Sequence, residues 1–529
     1  MLYRIRLKSA VAMMAVAIAA PAMAQTAASA NQTATSAATH SAAPAKTVRM
    51  LSAPKHAAGV VVMPSAKERT GFSLKRPASV PRTTSTAGFY VDSQFQGLSL
   101  VSTINLGAGF IPPDMGGGAN DKYVVQVVNG GLAIYDKQGT LLDKPKLDST
   151  FWLQAGVPAS IVNVGVSDPR VYWDAASQRF FITEINVNIP NTIMVAVSKT
   201  ANPLNGFRAV YTTLNNGSLG DFPTLGVNAN ALTVSTNNFA GGFFFSSVGI
   251  FSYPKADLLL AKPSAANLAR FDTADPNSYG FTVHAVDSQN PSDGNQPLLA
   301  VSATTFNRLQ LAQITDAGEP TAGLSGSKTL FTRYDGNPLT GRQPGGSGYD
   351  NSDDRISSAI KQVGNYIYFT NTAADPSSSV KSSNYVHWGI VDRTTNKIVA
   401  EGTVRDPAKL IDYSYPAIDA NTNGRFVIGY NGSSSTLNIS AFATICDFDQ
   451  VAKTVSCTAP KLLSYGIDGN YTLGAPGRVR WGDYSAVQID PTNPQAFWLF
   501  QEVPGPRNVN AGAGPTAEWE TVITHMVTQ

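Results

Sequence analysis

The chain has 529 residues, with 39 Lys and Arg against 36 Asp and Glu, a formal net charge of +3. Residues 1–90 hold 11 of the basic residues and a single acidic one, Glu68, which leaves 28 basic against 35 acidic residues in the rest, a net charge of −7 there. An acidic body without basic clusters excludes nucleic acid as the expected ligand, because neutralising phosphates needs the opposite sign, and two cysteines with only His284, His387 and His525 beyond residue 90 argue against a Cys/His zinc site.

Residues 1–24 have a basic start (Arg4, Arg6, Lys8), the apolar run AVAMMAVAIAA and a small-residue ending Ala22-Met23-Ala24, the pattern of a cleaved secretory signal. A secreted or periplasmic location is expected, with the mature chain starting at Gln25. No later stretch reaches the roughly 18 to 20 apolar residues of a membrane helix, so no transmembrane segment is expected. Residues 25–87 are Ala, Ser, Thr and Pro with scattered Lys and Arg and are expected to form a disordered stalk. The stalk is a solvated spacer, or a contact for anionic cell-surface polymers.

From residue 88 to 529 one unit recurs: a polar loop, a short small-residue strand, a turn and an aromatic-rich strand ending in Asn or Glu. The lead positions are Asp114, Asp168, Asp221, Asp354, Tyr415 and Asp483, and successive subtraction gives intervals of 54, 53, 133, 61 and 68 residues. The long interval has room for one divergent unit, assigned to FTVHAV and LLAVSATT. β units repeating at about 60 residues predict an all-β, seven-bladed β-propeller over 88–529. The last unit is one strand short, while GLSLVST near Leu98 precedes the first loop without a unit of its own. The N-terminal strand is therefore expected to complete the last blade and remove the free sheet edges. The aromatic runs FFITE, FWLFQE and GGFFF are expected between blades. Cys446 and Cys457 flank a polar turn between two short β runs, and in an oxidising compartment a cross-strand disulfide is expected. Two buried thiols are the alternative.

Because successive strands run antiparallel, the loops leading into the innermost strands and the far ends of the second strands share one rim. That rim is expected to be an acidic channel mouth carrying Asp168, Asp221, Asp354, Asp483 and Glu502 as candidate catalytic carboxylates, with Glu502 as proton donor. Arg170, Arg355, Arg480, Tyr415, Tyr484 and the strand residue His284 are the candidate substrate-binding groups. Paired carboxylates suit glycosidic cleavage, one protonated and one ionised. Arg and Tyr suit acidic or ring-shaped sugar groups. The competing reading is structural: Asp at such loops also caps its own turn, and Asp–Arg pairs neutralise one another. No P-loop, dinucleotide fingerprint or serine-hydrolase elbow occurs. No cofactor is expected; a structural Ca2+ on Asp and Asn oxygens is an alternative favoured by 29 Asp against 7 Glu, although turn chemistry explains the same excess.

The motifs Pro112-Pro113-Asp114 followed by Tyr123–Asn129, Asp168-Pro169 with Tyr172 and Asp174, and Arg480-Trp481-Gly482-Asp483-Tyr484 through Phe497-Trp498 resemble a largely uncharacterised family of secreted bacterial proteins with a sialidase-like propeller. The run SKTANPLNGF, Ser198 to Phe207, looks like a degenerate Asp-box hairpin, a structural motif of such propellers. The resemblance implies the fold; without the complete arginine triad and its Tyr and Glu pair it does not imply sialidase activity. Together these readings point to an exported, monomeric propeller acting as a glycoside hydrolase or polysaccharide lyase on a glycan or cell-surface polymer. A non-catalytic propeller binding a glycan or a protein is the alternative.

Overall fold

In the computed structural model the described residues are 47–52, 56–62 and 88–529, except 289, 291–292, 334–335, 375–382, 476–477 and 508–516. The expected signal and most of the stalk lie outside them. Within the stalk segment, Thr47–Ser52 and His56–Val62 form an antiparallel hairpin whose first strand runs parallel to Ala108–Ile111.

Seven sheets stand around one axis as the blades of a β-propeller. Blade 1 is Gly116–Ala119, Tyr123–Val128 and Gly131–Asp136, with Leu141 and Lys146 bridging to its outer edge. Its innermost strand is the glycine run, and at Gly117 a Cβ would stand 2.1 Å from the Phe500 ring, so the close approach of blades 7 and 1 requires glycine there. Blades 2 and 3 begin at Val166–Asp174 and Ser218–Val227 and add three antiparallel strands each. The divergent unit is blade 4, with Phe281–Ala285 innermost and Gln296–Val301 next. Blade 5 departs from expectation. RISSAI is not a strand; the innermost strand is Lys361–Val363, extended by Asp287–Ser288 pairing in parallel. Blade 6 begins at Asp412–Ala420, and its Cys446 and Cys457 face each other across Ser440–Asp449 and Thr454–Cys457 in a disulfide.

Blade 7 closes the ring as expected. Ala486–Asp490, Asn493–Arg507 and Ala517–Thr528 are joined by Phe89–Ser99 as the outermost strand, paired from Phe89 opposite Thr528 to Ser99 opposite Glu520 with register shifts at Val91/Ser93 and Gln96/Ser99. Ser99 then caps the short helix Leu100–Leu106 reciprocally with Ser102.

Period-2 alternation sends neighbouring side chains to opposite faces, so each strand feeds two inter-blade cores. In FFITE, Phe180 packs with Trp152 and Trp173 toward blade 1, while Phe181 packs with Val234 and Tyr253 toward blade 3. In FWLFQE, Trp498 and Phe500 meet Val124 and Tyr135 of blade 1, while Phe497 and Leu499 meet Val427 and Ile445 of blade 6. Each such side chain contributes roughly 1.5–3 kcal/mol by leaving water. GGFFF is only half core: Phe245 packs against Phe239 and Phe281, but Phe244 sits at the tip of a long hairpin and is 62 % exposed. Among the described residues no helix is long and apolar enough to cross a membrane.

Candidate functional site

The recurring polar loop encodes a backbone device. In blades 2, 3, 4 and 6 the register of the innermost strand shifts at Ser167/Arg170, Asp221/Thr224, Phe281/His284 and Ser414/Ala417. Inside each shift one non-glycine residue is left-handed: Asp168 at φ 64°, Phe222 at 56°, Thr282 at 57° and Tyr415 at 51°. These are β-bulges, which free a backbone N–H from the ladder. In blades 2, 4 and 6 the preceding blade accepts it. Asp168 N–H donates to Asn129 Oδ1 at 2.8 Å, Thr282 N–H to Asn237 Oδ1 at 2.8 Å and Tyr415 N–H to Thr372 Oγ1 at 3.1 Å. At these blades the strand-end Asn or Thr of one blade thus clasps the bulge of the next.

The same rim gathers most of the expected residues. Arg480 donates to Asp483 Oδ2 at 2.6 Å, and Asp114 Oδ2 accepts from Asn129 Nδ2 at 2.8 Å. Arg170 lies flat over Tyr484, 3.2 Å from the ring centroid, and donates to the carbonyls of Pro223 and Ser357, both at 3.0 Å, tying blades 2, 3 and 7 to the segment before blade 5. Tyr484 O–H donates to Pro169 O at 2.9 Å, and Tyr415 O–H to Asp350 O. Arg355 chelates Asp353 at 2.7 Å through two nitrogens and stacks over Phe222, within the field of Asp221 and Asp483. Asp168 accepts from Ser167 Oγ at 2.7 Å, and Asp354 is anchored through its carbonyl by Asn371 Nδ2 at 3.0 Å. Burial first, then the charges of Asp114 and Asp483, push the Glu502 carboxyl well above the usual range against the opposing pull of Arg480. Burial likewise raises Asp114, with Asp483 and Asp168 adding to it.

The expected open acidic mouth is not there. Asp168, Asp221, Asp354, Asp483 and Glu502 are all buried, Glu502 being 3 % exposed. The segments 339–353 and 465–475, which precede the loops of Asp354 and Asp483, lie against this rim, where Asp350 pairs with Arg480 and its carbonyl accepts from Tyr415 O–H. Gln343 and Tyr471 join the two segments through hydrogen bonds of 2.6 and 2.9 Å, and Tyr349, Tyr471 and Trp481 pack beneath. Among the described residues no three His, Cys, Asp or Glu side chains are grouped to hold a metal ion.

The channel opens at the other end. A cavity of about 430 Å3 is lined there by Tyr172, Trp173, Asp287, Lys361, Gln362 and Asp419, together with Asn421, Gln488 and Asp490. It narrows into an axial throat of about 40 Å3 that shares Tyr172, Asp287, Lys361 and Gln488 and reaches His284, Arg170 and Tyr484. None of the five expected catalytic carboxylates lines either cavity. Lys361 Nζ stands 2.8 Å from Asp287 Oδ2 and 3.9 Å from Asp419 Oδ2, and 5.1 Å from the Tyr172 ring centroid. Burial raises Asp287 to about 6 although Lys361 opposes it, and burial raises Asp419 as well. Burial pulls the Lys361 ammonium down, but Asp287 and Asp419 outweigh it and hold it above its ordinary value. Trp173 and Gln362 line this cavity, and their buried Nε1 and Oε1 have no hydrogen-bond partner among the described residues. The sequence carries a signal for this end: the innermost strands and their extensions finish in Asp, as in RVYWD, HAVD, AIDA and VQID, at Asp174, Asp287, Asp419 and Asp490.

No family model matches the chain, and no curated protein matches it. Similar solved structures include the α-L-arabinanase of Cellvibrio cellulosa, at 10% identity over 66% of this chain and 95% of that one with a TM-score of 0.31. The GH43 endo-arabinanase of Bacillus licheniformis is 10% identical over 66% and 96%, with a TM-score of 0.30. The α-L-arabinofuranosidase of Fusarium graminearum is 12% identical over 69% and 94%, with a TM-score of 0.35. Likenesses at this level carry no argument about what this chain does, and the propeller assignment rests on its own strand order.

Proposed function

We propose that the chain is an exported carbohydrate-active propeller that takes a glycan at the open end of its channel and cleaves it there as a glycoside hydrolase. The observation that carries this reading is the cavity of about 430 Å3 lined by Tyr172, Trp173 and Gln362 beside two carboxylates, Asp287 and Asp419, with Trp173 Nε1 and Gln362 Oε1 buried and, among the described residues, unpartnered. A sugar hydroxyl satisfies a donor and an acceptor alike, and the faces of Tyr172 and Trp173 suit a pyranose or furanose ring. Asp287 and Asp419, 2.8 and 3.9 Å from one Nζ, are held less than about 7 Å apart, a spacing on the scale of glycosidase carboxyl pairs. With its pKa raised to about 6, Asp287 is the better general acid, and Asp419 is the partner base or nucleophile. The signal-like start and the disulfide support export.

The purified full-length protein, assayed on a panel of polysaccharides by reducing ends and by absorbance of unsaturated uronates, tests this directly. Turnover that survives Glu502→Gln and is lost in Asp287→Asn or Asp419→Asn is the expected result. Unsaturated uronates would assign a lyase instead. One observation favours a second reading: both carboxylates are engaged by Lys361, which suits a non-catalytic glycan-binding propeller. Retention on a polysaccharide column without turnover on any substrate would select it, and neither retention nor turnover would end the glycan reading.

A further inference from the structure

The throat below the open cavity holds two buried groups whose hydrogen bonds are incomplete. His284 is 1 % exposed, and its Nε2 lies 2.9 Å from Ile356 O. A carbonyl only accepts, so Nε2 carries the proton and Nδ1 presents a lone pair. Nδ1 has no partner. Arg170, 7 % exposed, commits Nε and Nη1 to Pro223 O and Ser357 O, and its Nη2 has no partner among the described residues. Both residues line the throat of about 40 Å3, which has room for roughly two or three water-sized groups. Tyr172, Asp287, Lys361 and Gln488 line the throat and the open cavity alike, so the throat is the floor of the cavity. Native proteins rarely leave a buried donor and a buried acceptor unpaired.

We propose that the throat is a receptor for one neutral hydroxyl group of the bound glycan, accepting from Arg170 Nη2 and donating to His284 Nδ1, and that it selects neutral sugars over uronates. The proposal rests on the glycan reading of the open cavity. A hydroxyl has both a hydrogen and lone pairs, whereas a carboxylate has only lone pairs and would set one against Nδ1. Arg170 and Lys361 would by charge alone draw a carboxylate in, so the imidazole is what decides. Protonating it would reverse the preference, but burial first, and the Arg170 charge second, hold His284 down to about 3. The imidazole therefore stays a pure acceptor at Nδ1 across the physiological range.

The test uses the full-length protein with glucose, galactose and arabinose as neutral probes and glucuronate as the charged one, read by calorimetry and by long-range 1H–15N spectra of the histidine rings. The expected results are a shift of the His284 Nδ1 resonance with a neutral sugar that binds, glucuronate at least about tenfold weaker than glucose, and about tenfold loss of neutral-sugar affinity in His284→Phe. If His284→Phe fails to fold, the ring resonance and the glucose to glucuronate ratio of the wild-type protein decide alone. A neutral sugar that binds with Nδ1 unmoved, or glucuronate binding as tightly as glucose, overturns the throat inference and leaves the glycan reading standing. Absence of binding by all four sugars overturns both.

Discussion

Arg480 Nη2 stands 2.6 Å from Asp483 Oδ2, with 6 % and 4 % of the two side chains exposed. Glu502, in the same cluster, accepts no hydrogen bond at either oxygen from the described residues and is pushed toward its neutral form. The two residues should therefore respond oppositely to amide substitution. Asp483→Asn leaves a buried guanidinium short of its partner and should cost about 3–5 kcal/mol, whereas Glu502→Gln replaces one neutral group by another and should change stability by less than about 1 kcal/mol. Chemical unfolding of the two variants checks this, and equal losses would mean that Glu502 is ionised in the fold.

The clasp between blades makes a second prediction. Asn237 Oδ1 accepts from Thr282 N–H and its Nδ2 donates to Thr282 Oγ1, both at 2.8 Å and both buried. Asn237→Ala removes both and leaves a buried bulge N–H unsatisfied, at a cost of about 1–3 kcal/mol. Asn129→Ala should cost as much, since it strands the N–H of Asp168. A loss below about 0.5 kcal/mol in both variants would show that water replaces the clasp.

Buried carboxyls set the pH dependence. Burial raises Asp148 and Glu520 to about 7 and Asp287 to about 6, and raises Asp114, Glu184 and Glu502 well above their ordinary values. For each, between the unfolded pKa near 4 and the folded value, the native state holds a proton that the unfolded state lacks, so stability falls as pH rises. His284 and His387, both lowered by burial, act in the opposite sense below about 6.5 but number only two. Carboxylates with lowered pKa, such as Asp490, withdraw their support only below about 4. The Tm should therefore rise as pH is lowered from 8 to about 5 and fall below about 4. A Tm that declines steadily from pH 8 to 5 would contradict the burial of this set.

The disulfide closes a hairpin with a sequence separation of 11 residues. Chain-entropy reasoning gives about 3 kcal/mol for a loop of this size, less what the paired strands already restrict. The double variant Cys446→Ala, Cys457→Ala should lose about 2 kcal/mol in denaturant unfolding. Non-reducing peptide mapping should recover the two cysteines in one linked pair.

Closure by Phe89–Ser99 gives the last prediction. A chain starting at residue 88 should fold like the full-length protein. One starting at residue 100 exposes the edge of Ala517–Thr528 and should be recovered as aggregate. Equal yields of soluble monomer from both would show that the ring closes without this strand.

Much of the fold was legible in the sequence because its causes are local. Strand alternation, turns at about 60-residue intervals and a missing strand at one end with a spare at the other are properties of neighbouring residues. So is the hairpin spacing of Cys446 and Cys457. The repeated Asp and strand-end Asn were equally visible, but their meaning was not, because a bulge N–H and the Asn that accepts it lie in different blades, 39 residues apart for Asn129 and Asp168 and 45 for Asn237 and Thr282. The open end of the channel was likewise undecided by pattern. It depends on segments 339–353 and 465–475, between the repeated strands, lying against one rim. Asp287 and Asp419 share a place near the end of an innermost strand or its extension, but Lys361 shares no motif with them; the three meet only because the closed ring turns these strands toward one axis, where burial and mutual charge then set the proton affinity of each.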